Sequence, residues 1–193
     1  FNPAAAGVVF VTVLWPEKVF RYPAVQTLPL WGEGSPAPQA ENPLAMLNQG
    51  LKPLLEPIDM LWGQYAGPLG GTAVLILCGC GLFLFFRHTA RWEITAGYLL
   101  SAAAVAFFWP RILCAPELSV AYELLSGSLL FCGIFMITDP VTSPKMAGVR
   151  FLYGALGGAL SMLLRHVGAY GEGVCFAVLL MNALAPLLDQ AAL

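Results

Sequence analysis

The chain has 193 residues, of which 59% are hydrophobic and 10% are charged, and its mean hydropathy is +0.75. Ordinary soluble domains carry roughly one-quarter charged residues, so this composition favours the lipid bilayer as the solvent. The net charge of −2 argues against nucleic acid as a partner, because nucleic-acid binding needs a basic surface.

The first apolar run, Ala4 to Trp15, is too short to cross a bilayer as a complete helix. We interpret it as part of a membrane helix or as a half-helix. The chain begins with Phe1 rather than Met and lacks the pattern of a signal peptide, so we expect it to continue a longer gene product.

A loop from Pro16 to Pro68 follows, and it is the one polar region of any size. A loop of this length is usually functional or disordered. Its segment Asn42 to Leu55 has two open interpretations, a short amphipathic helix lying along the membrane interface or a soluble linker. Prolines break regular structure through the loop, at positions Pro16, Pro23, Pro29, Pro36, Pro38, Pro43, Pro53, Pro57 and Pro68.

Five further apolar runs predict five membrane passes. They extend over Leu69–Phe86, Ile94–Trp109, Leu118–Ile137, Phe151–Leu164 and Val174–Leu188. We therefore divide the chain into a partial membrane segment (1–15), an extracytoplasmic loop (16–68) and a five-helix membrane domain (69–193). Cytoplasmic loops carry an excess of Arg and Lys. Loops 87–93 and 139–150 hold four such residues and the alternate loops hold two, so we expect these two loops on the cytoplasmic side and the 16–68 loop outside.

Small residues are frequent in these runs. Gly154, Gly157, Gly158 and Ser161 favour close packing of one helix inside a bundle. The cysteines are odd in number and lie mostly in apolar runs, so we predict buried thiols and no metal site. They are Cys78, Cys80, Cys114, Cys132 and Cys175.

Four polar residues lie within or at the ends of the apolar runs. For Glu123 an interfacial position is favoured over a place in an ion pathway. Arg165 and His166 end the fourth run and are expected to face water. Asn182 lies deeper and is expected to join two helices by a hydrogen bond.

Asp139 and Pro140 end the third run in the segment FMITDPVTSPK. Asp is a good N-cap and Pro suits the first helical position, and Thr142 and Ser143 add hydroxyl groups. One hypothesis is that a half-helix begins at Asp139, so that the chain is broken near membrane depth as in many transporters. The alternative is an ordinary turn after a membrane helix.

The opening segment FNPA repeats the pattern of TDPV, with Asn2 in the place of Asp139. Paired breaks in two halves of a chain indicate a membrane site built from repeats. The predicted fold class is accordingly all-α, a polytopic membrane helical bundle with broken half-helices and an internal-repeat fold.

Two segments resemble the RnfD and NqrB subunits of ion-translocating electron-transport complexes. They are LLSGSLLFCGIFMITDPVTSP and GALGGALSMLLRHVGAYGEGVCFAVLLMNALAPLLD, and FNPAAAG is similar to the NPA motif of the same subunits. The resemblance implies a multi-pass, flavin-bearing subunit of the bacterial inner membrane, in a translocase that couples NADH–ferredoxin or NADH–quinone chemistry to Na⁺ or H⁺ movement. Other Rnf- or Nqr-type subunits and membrane lipid are the implied partners.

The implied cofactor is FMN or riboflavin, and Asn2, Asp139 and Thr142 are its implied contact residues. The family attaches FMN through phosphate to a threonine in a motif similar to SGATPL. This chain has GSPAPQAENPLAML, in which Glu41 and Asn42 stand where the threonine is expected. Thr27, in QTLPL, is a displaced candidate for the attachment. Gly71 stands where the family tends to have an acidic residue.

Three functional hypotheses follow from these matches and departures. The first is a redox subunit of an Rnf-like complex that takes part in flavin-mediated electron transfer. The second is a non-redox structural subunit of such a complex, and the third is a channel or transporter of related architecture.

Overall fold

The computed structural model describes residues 1–22, 42–63, 65–68, 70–168, 170 and 172–191, and these residues form an all-helical bundle without strands. The predicted fold class, a helical membrane bundle, is confirmed. Its helices are α1 (Pro3–Leu14), α2 (Pro16–Val19), α3 (Pro43–Asn48), α4 (Pro57–Leu61), α5 (Val74–Phe86), α6 (Trp92–Phe108), α7 (Pro116–Leu125), α8 (Leu129–Phe131) with a π-helical continuation (Cys132–Met136), α9 (Ala147–Val167) and α10 (Val174–Ala191).

Prolines begin helices as well as interrupting the loop. Helices α1, α2, α3, α4 and α7 each start with a proline, where the missing N–H costs no intrahelical bond. Asn2 and Asn42 precede two of these prolines and accept backbone N–H groups through their side chains. The Asn-Pro pairs are therefore capped helix starts.

The centre of the bundle is the packing of α9 between α6 and α10. Gly154 and Gly158 lie directly against the backbone of α6, at Ile94 and Tyr98, and a methyl group at either position would overlap those atoms. Tyr98 and Tyr153 are fully buried at this contact. The predicted close approach through small residues is what the structure shows.

By length and composition, two described helices can cross a membrane, α9 and α10. The pair formed by α7 and α8 with its π-helical end passes the same test together but is bent by 70°, which gives a third candidate. Helices α1, α5 and α6 are apolar and shorter. The count of five passes and the three-part division of the chain stay predictions.

Two predictions about individual residues are wrong. Cys78 and Cys80 are exposed on α5 rather than buried, because α5 buries only a narrow stripe formed by Val74, Leu77 and Gly81. Cys132 and Cys175 are buried as predicted. In the segment 42–55, α3 turns Leu44 and Leu47 into the protein, and both interpretations of the segment stay predictions.

Candidate functional site

The third apolar run is broken in its middle, at Ser126, Gly127 and Ser128, between α7 and α8. Gly127 has φ +66°, in the left-handed region that suits glycine. Backbone groups freed by a break at membrane depth need partners, since lipid offers none. The partners found at this break define the candidate site.

Arg165, in the last turn of α9, binds the end of α7. Its Nη1 donates to the carbonyl oxygen of Glu123 at 3.0 Å, and its Nη2 donates to the carbonyl oxygen of Ser126 at 3.1 Å. The Arg165 side chain is fully buried. A cation at a helix C-terminus also interacts favourably with the helix dipole, so Arg165 serves as a tertiary C-cap.

Glu172, in the segment between α9 and α10, binds the start of α8. Its Oε1 accepts a hydrogen bond from the backbone N–H of Ser128, and it lies 3.2 Å from Nη2 of Arg165. An anion at a helix N-terminus is the favourable arrangement for the dipole. The Arg165–Glu172 ion pair therefore places a cation at the C-terminal end of α7 and an anion at the N-terminal end of α8. Each helix end receives the sign of charge that its dipole favours.

Glu123 lies inside the same cluster and is buried to 1% exposure. Arg111 binds its carboxylate with two hydrogen bonds, 2.5 Å from Nε and 2.7 Å from Nη2, and Arg165 lies 3.5 Å away on the other side. Two arginines thus face two carboxylates, and the cluster carries no net charge. We call Arg111, Glu123, Arg165 and Glu172 the break cluster.

Two described residues before α5, Asn48 and Tyr65, bind the break cluster and the end of α7. Arg111 donates to Asn48 Oδ1 at 2.5 Å, and the Tyr65 hydroxyl donates to the carbonyl oxygen of Leu125 at 2.7 Å. Burial raises the pKa of the Tyr65 phenol to about 12, and the Glu172 carboxylate adds to the rise. Burial and then Glu172 also raise the pKa of Tyr22.

The second half of the broken span is π-helical, and side chains from other elements bind its carbonyl groups. Thr95 of α6 donates to the carbonyl oxygen of Gly133 at 2.9 Å. Asn2, the N-cap of α1, donates through Nδ2 to the carbonyl oxygen of Met136 at 3.1 Å. The NPA segment therefore lies in space beside the segment that leads into TDPV, as the sequence echo suggests.

Asp139 caps a single turn. Its Oδ1 accepts from the N–H of Val141 at 3.1 Å, and its Oδ2 accepts from the hydroxyl of Thr142 at 3.1 Å. The half-helix expected to begin here is absent, because Pro144 cannot continue a helix and restricts the residue before it. The break lies instead at Ser126–Ser128, and Asp139 is half-buried on the following turn.

Local patterns misplaced one of the four charges in the break cluster. Arg165 is predicted to face water but is buried. Glu123 is buried among protein side chains, and its interfacial depth stays a prediction. Arg111 and Glu172 were missed. The available signal is the presence of two acidic and two basic residues within or beside three apolar runs, where unpaired charges are costly, but it does not give the pairs.

Further hydrogen bonds close the α9–α10 pair. The Tyr153 hydroxyl donates to Asn182 Oδ1 at 3.1 Å, as expected of a polar residue that joins two membrane helices. At the other end Asp189 accepts from the N–H groups of Lys145 and Met146, at 3.1 and 3.2 Å. His166 has its ring nitrogens at 2.8 and 2.9 Å from the carbonyl oxygens of Met162 and Trp109.

Comparison with known sequences decides the family. A sequence model of the NQR2, RnfD, RnfE family matches residues 1–192. The chain belongs to this family. As a member with long apolar helices, it is an integral membrane protein.

Three relatives in the NQR2, RnfD, RnfE family show how far the match extends. The D subunit of a proton-translocating ferredoxin:NAD(+) oxidoreductase complex from Clostridium ljungdahlii is 29% identical over 98% of this chain. The D subunits of ion-translocating oxidoreductase complexes from Stutzerimonas stutzeri and Salmonella arizonae are 40% and 41% identical over 66% and 67% of it. The matched regions cover 59%, 36% and 38% of these relatives.

The FMN attachment that the resemblance implies can be compared with the residues present. Asn42 stands before Pro43-Leu44 as the threonine stands before Pro-Leu in the family motif, and its Oδ1 accepts from the N–H of Leu44 at 3.0 Å. An amide serves as an N-cap but cannot form a phosphoester, so position 42 does not fit covalent FMN. Thr27 lies outside the described residues.

The proposed flavin contacts are engaged within the protein. Asn2 uses its amide oxygen for the N–H groups of Ala4 and Ala5 and its nitrogen for Met136. Asp139 and Thr142 bind one another in the turn. The structure brings Asn2 close to the segment of Asp139 and Thr142 and leaves their role toward a flavin a prediction.

Proposed function

We propose that this chain acts as the D-type membrane subunit, or as part of it, of an Rnf-type ion-translocating oxidoreductase complex. The complex would lie in the bacterial inner membrane and couple electron transfer to the movement of Na⁺ or H⁺, with other Rnf-type subunits as partners. The single observation that carries the proposal is the family match over residues 1–192, because it includes both proline motifs and the whole broken span.

The break cluster supports a role that requires an irregular membrane span. A continuous helix would satisfy its own backbone, whereas this span needs Arg165, Glu172 and Thr95 from other elements. Irregular backbone at membrane depth is characteristic of proteins that build sites or pathways there. The observation favours a subunit near the ion pathway over a passive membrane anchor.

Asn42 favours a second candidate, a subunit of the same complex that carries no FMN at this position. The N-cap of α3 is retained with an amide in the place of the expected hydroxyl. Such a chain would hold its place in the complex, and electron transfer would use cofactors elsewhere. The two candidates share their partner subunits. They differ in whether this chain itself carries a covalently bound flavin.

Affinity purification of the tagged chain from membranes that also produce Rnf-type subunits tests the proposal. Copurification of those subunits is the expected result, and recovery of the chain without any of them would overturn it. Flavin fluorescence on a denaturing gel then separates the two candidates. A fluorescent band would require a hydroxyl other than one at residue 42, and its absence supports the second candidate.

A further inference from the structure

Helix α4 has a buried side, an exposed apolar side and an exposed acidic side. Met60 is fully buried in a cluster with Leu47, Tyr65 and Ile112. Ile58 and Trp62, four residues apart and therefore on one side of the helix, are 61% and 69% exposed. Asp59 is exposed and lies about 160° from Leu61, on the opposite side.

The position of α4 relative to the membrane helices follows from its contacts. Leu61 packs against a cluster that contains Val74 and Leu77, in the first turns of the apolar helix α5. Directly after α4, a methyl group on Gly63 would lie 3.3 Å from Cα of Ala73, the residue before α5. Helix α4 therefore lies at the level where α5 begins, which is where an apolar helix enters the hydrocarbon.

The directions of these side chains suit a helix that packs on the protein at the level of a membrane surface. Leu61 points toward the bundle, and Asp59 points away from it. Ile58 and Trp62 lie between these directions, and Leu75 and Ile76 in the first turn of α5 are exposed as well. Tryptophan is enriched at the membrane–water interface, where its ring is apolar and its N–H remains hydrated.

We propose that α4 lies in the lipid–water interface on the side of the membrane where α5 begins. Ile58 and Trp62 contact phospholipid acyl chains near the headgroups, and Asp59 contacts water. The occupant of this apolar surface is phospholipid. The proposal rests on the membrane insertion of α5 and is independent of the redox partners, so it can fail while the family function holds.

Site-specific photo-crosslinking distinguishes the possible occupants. The full chain is produced with p-benzoylphenylalanine at position 58, 62 or 59, purified and placed in vesicles of phosphatidylethanolamine and phosphatidylglycerol. Positions 58 and 62 are expected to give lipid adducts, detected as mass shifts, several-fold more often than position 59. Equal yields at the three positions would overturn the proposal.

The same variants are irradiated in the membranes of the producing cells, with Rnf-type subunits present. Adducts of positions 58 and 62 with a protein, without lipid adducts, would overturn the proposal and identify a protein partner instead. Trp62→Phe provides a measurement that does not depend on the bulky reporter. Quenching of tryptophan fluorescence by lipids brominated near the headgroup should fall in this variant, and unchanged quenching would contradict the proposal.

Discussion

Arg165 Nη2 and Glu172 Oε1 lie 3.2 Å apart across the break between α7 and α8. The arginine binds carbonyl groups at the end of one helix, and the glutamate binds an N–H at the start of the next. Besides forming the ion pair, each side chain thus caps one helix end, and its charge is favourable for the dipole at that end. The ion pair holds a bent span together where a continuous helix would have needed no side chains.

Replacement of Arg165 by Met should strongly destabilise the protein. The substitution leaves the carbonyl groups of Glu123 and Ser126 without their donor and leaves Glu172 without its cation. Removal of one partner from a buried ion pair costs about 3–5 kcal/mol. Unfolding in detergent micelles, followed by circular dichroism, measures the change in free energy.

Arg150→Met is the matched control for this variant. Arg150 is half-buried and donates to the carbonyl oxygen of Lys145 outside the break cluster, so its replacement should cost less than about 1 kcal/mol. Arg165→Lys should recover only part of the loss, because an ammonium group cannot reproduce the planar contacts. Equal stability of the Arg165 and Arg150 variants would show that the break does not depend on the pair.

Gly127→Ala should destabilise the break through both conformation and space. The residue has φ +66°, and a methyl group would overlap Glu172 Oε1 and lie 2.9 Å from Arg165 Nη2. We expect a loss of at least about 1–2 kcal/mol from the left-handed conformation alone. The same micelle unfolding experiment measures it.

Gly79→Ala is the control, since Gly79 lies inside α5 and a methyl group there meets nothing within 4 Å. Alanine is the better helix former by about 0.5–1 kcal/mol, so this variant should be as stable as the parent or more so. A Gly127 variant that behaves like the Gly79 variant would contradict the role given to the break.

The protein is expected to keep its stability when Asn42 is replaced by Thr and to lose stability when it is replaced by Ala. Both Asn and Thr cap a helix, whereas Ala leaves the N–H of Leu44 unpaired and costs about 1 kcal/mol. Thermal denaturation compares the two variants. Asn42→Thr also supplies a hydroxyl for the FMN attachment that the resemblance implies, and in cells that carry out this attachment in-gel fluorescence should increase relative to the parent.

Tyr65 predicts a loss of stability at alkaline pH. Its pKa is about 12 in the folded protein against an ordinary value of 10.0, so between these values the unfolded chain releases a proton that the folded chain retains. Stability should therefore fall as the pH rises from 10 to 12, by up to about 1.4 kcal/mol per pH unit. Tyr65→Phe should fall less steeply across this window, and identical slopes would exclude the residue as the cause.

Substitutions of Glu123 and Asp139 should have different effects on stability and on activity. Glu123→Gln leaves Arg111 and Arg165 with a neutral partner inside the protein, and we expect a loss of stability of about 3 kcal/mol or more. Asp139→Asn keeps the acceptor for Val141 and should cost little. If Asp139 acts in the complex, ion-coupled electron transport in vesicles should drop in Asp139→Asn while its melting temperature stays unchanged.

The regular parts of the fold were predictable from local sequence. Helices α6, α9 and α10 begin and end within a few residues of the apolar runs, since charged or proline-containing segments flank those runs. The capping role of Asp139 was predictable as well, because Asp before Pro is a local signal. The helix expected after that cap is absent, because Pro144 follows too closely.

The break cluster was not predictable in the same way. Ser126 and Gly127 look like small residues inside an apolar helix, and only their distant partners show that the chain turns there. Arg165 bonds to Ser126 across 39 residues of sequence, and Glu172 bonds to Ser128 across 44. Local periodicity carries no information about such pairs, so a charged residue at a helix end was assigned to water.

These separations also determine the order of events during synthesis. When α7 and α8 leave the ribosome, Arg165 and Glu172, which bind the backbone groups at the break, have not yet emerged. Lipid cannot substitute for them, because it offers no hydrogen-bond partners. The bent span must therefore remain in a wet or protein-lined environment until the hairpin of α9 and α10 arrives. Its final conformation is a late step in the assembly of the chain, set by the helices that follow it.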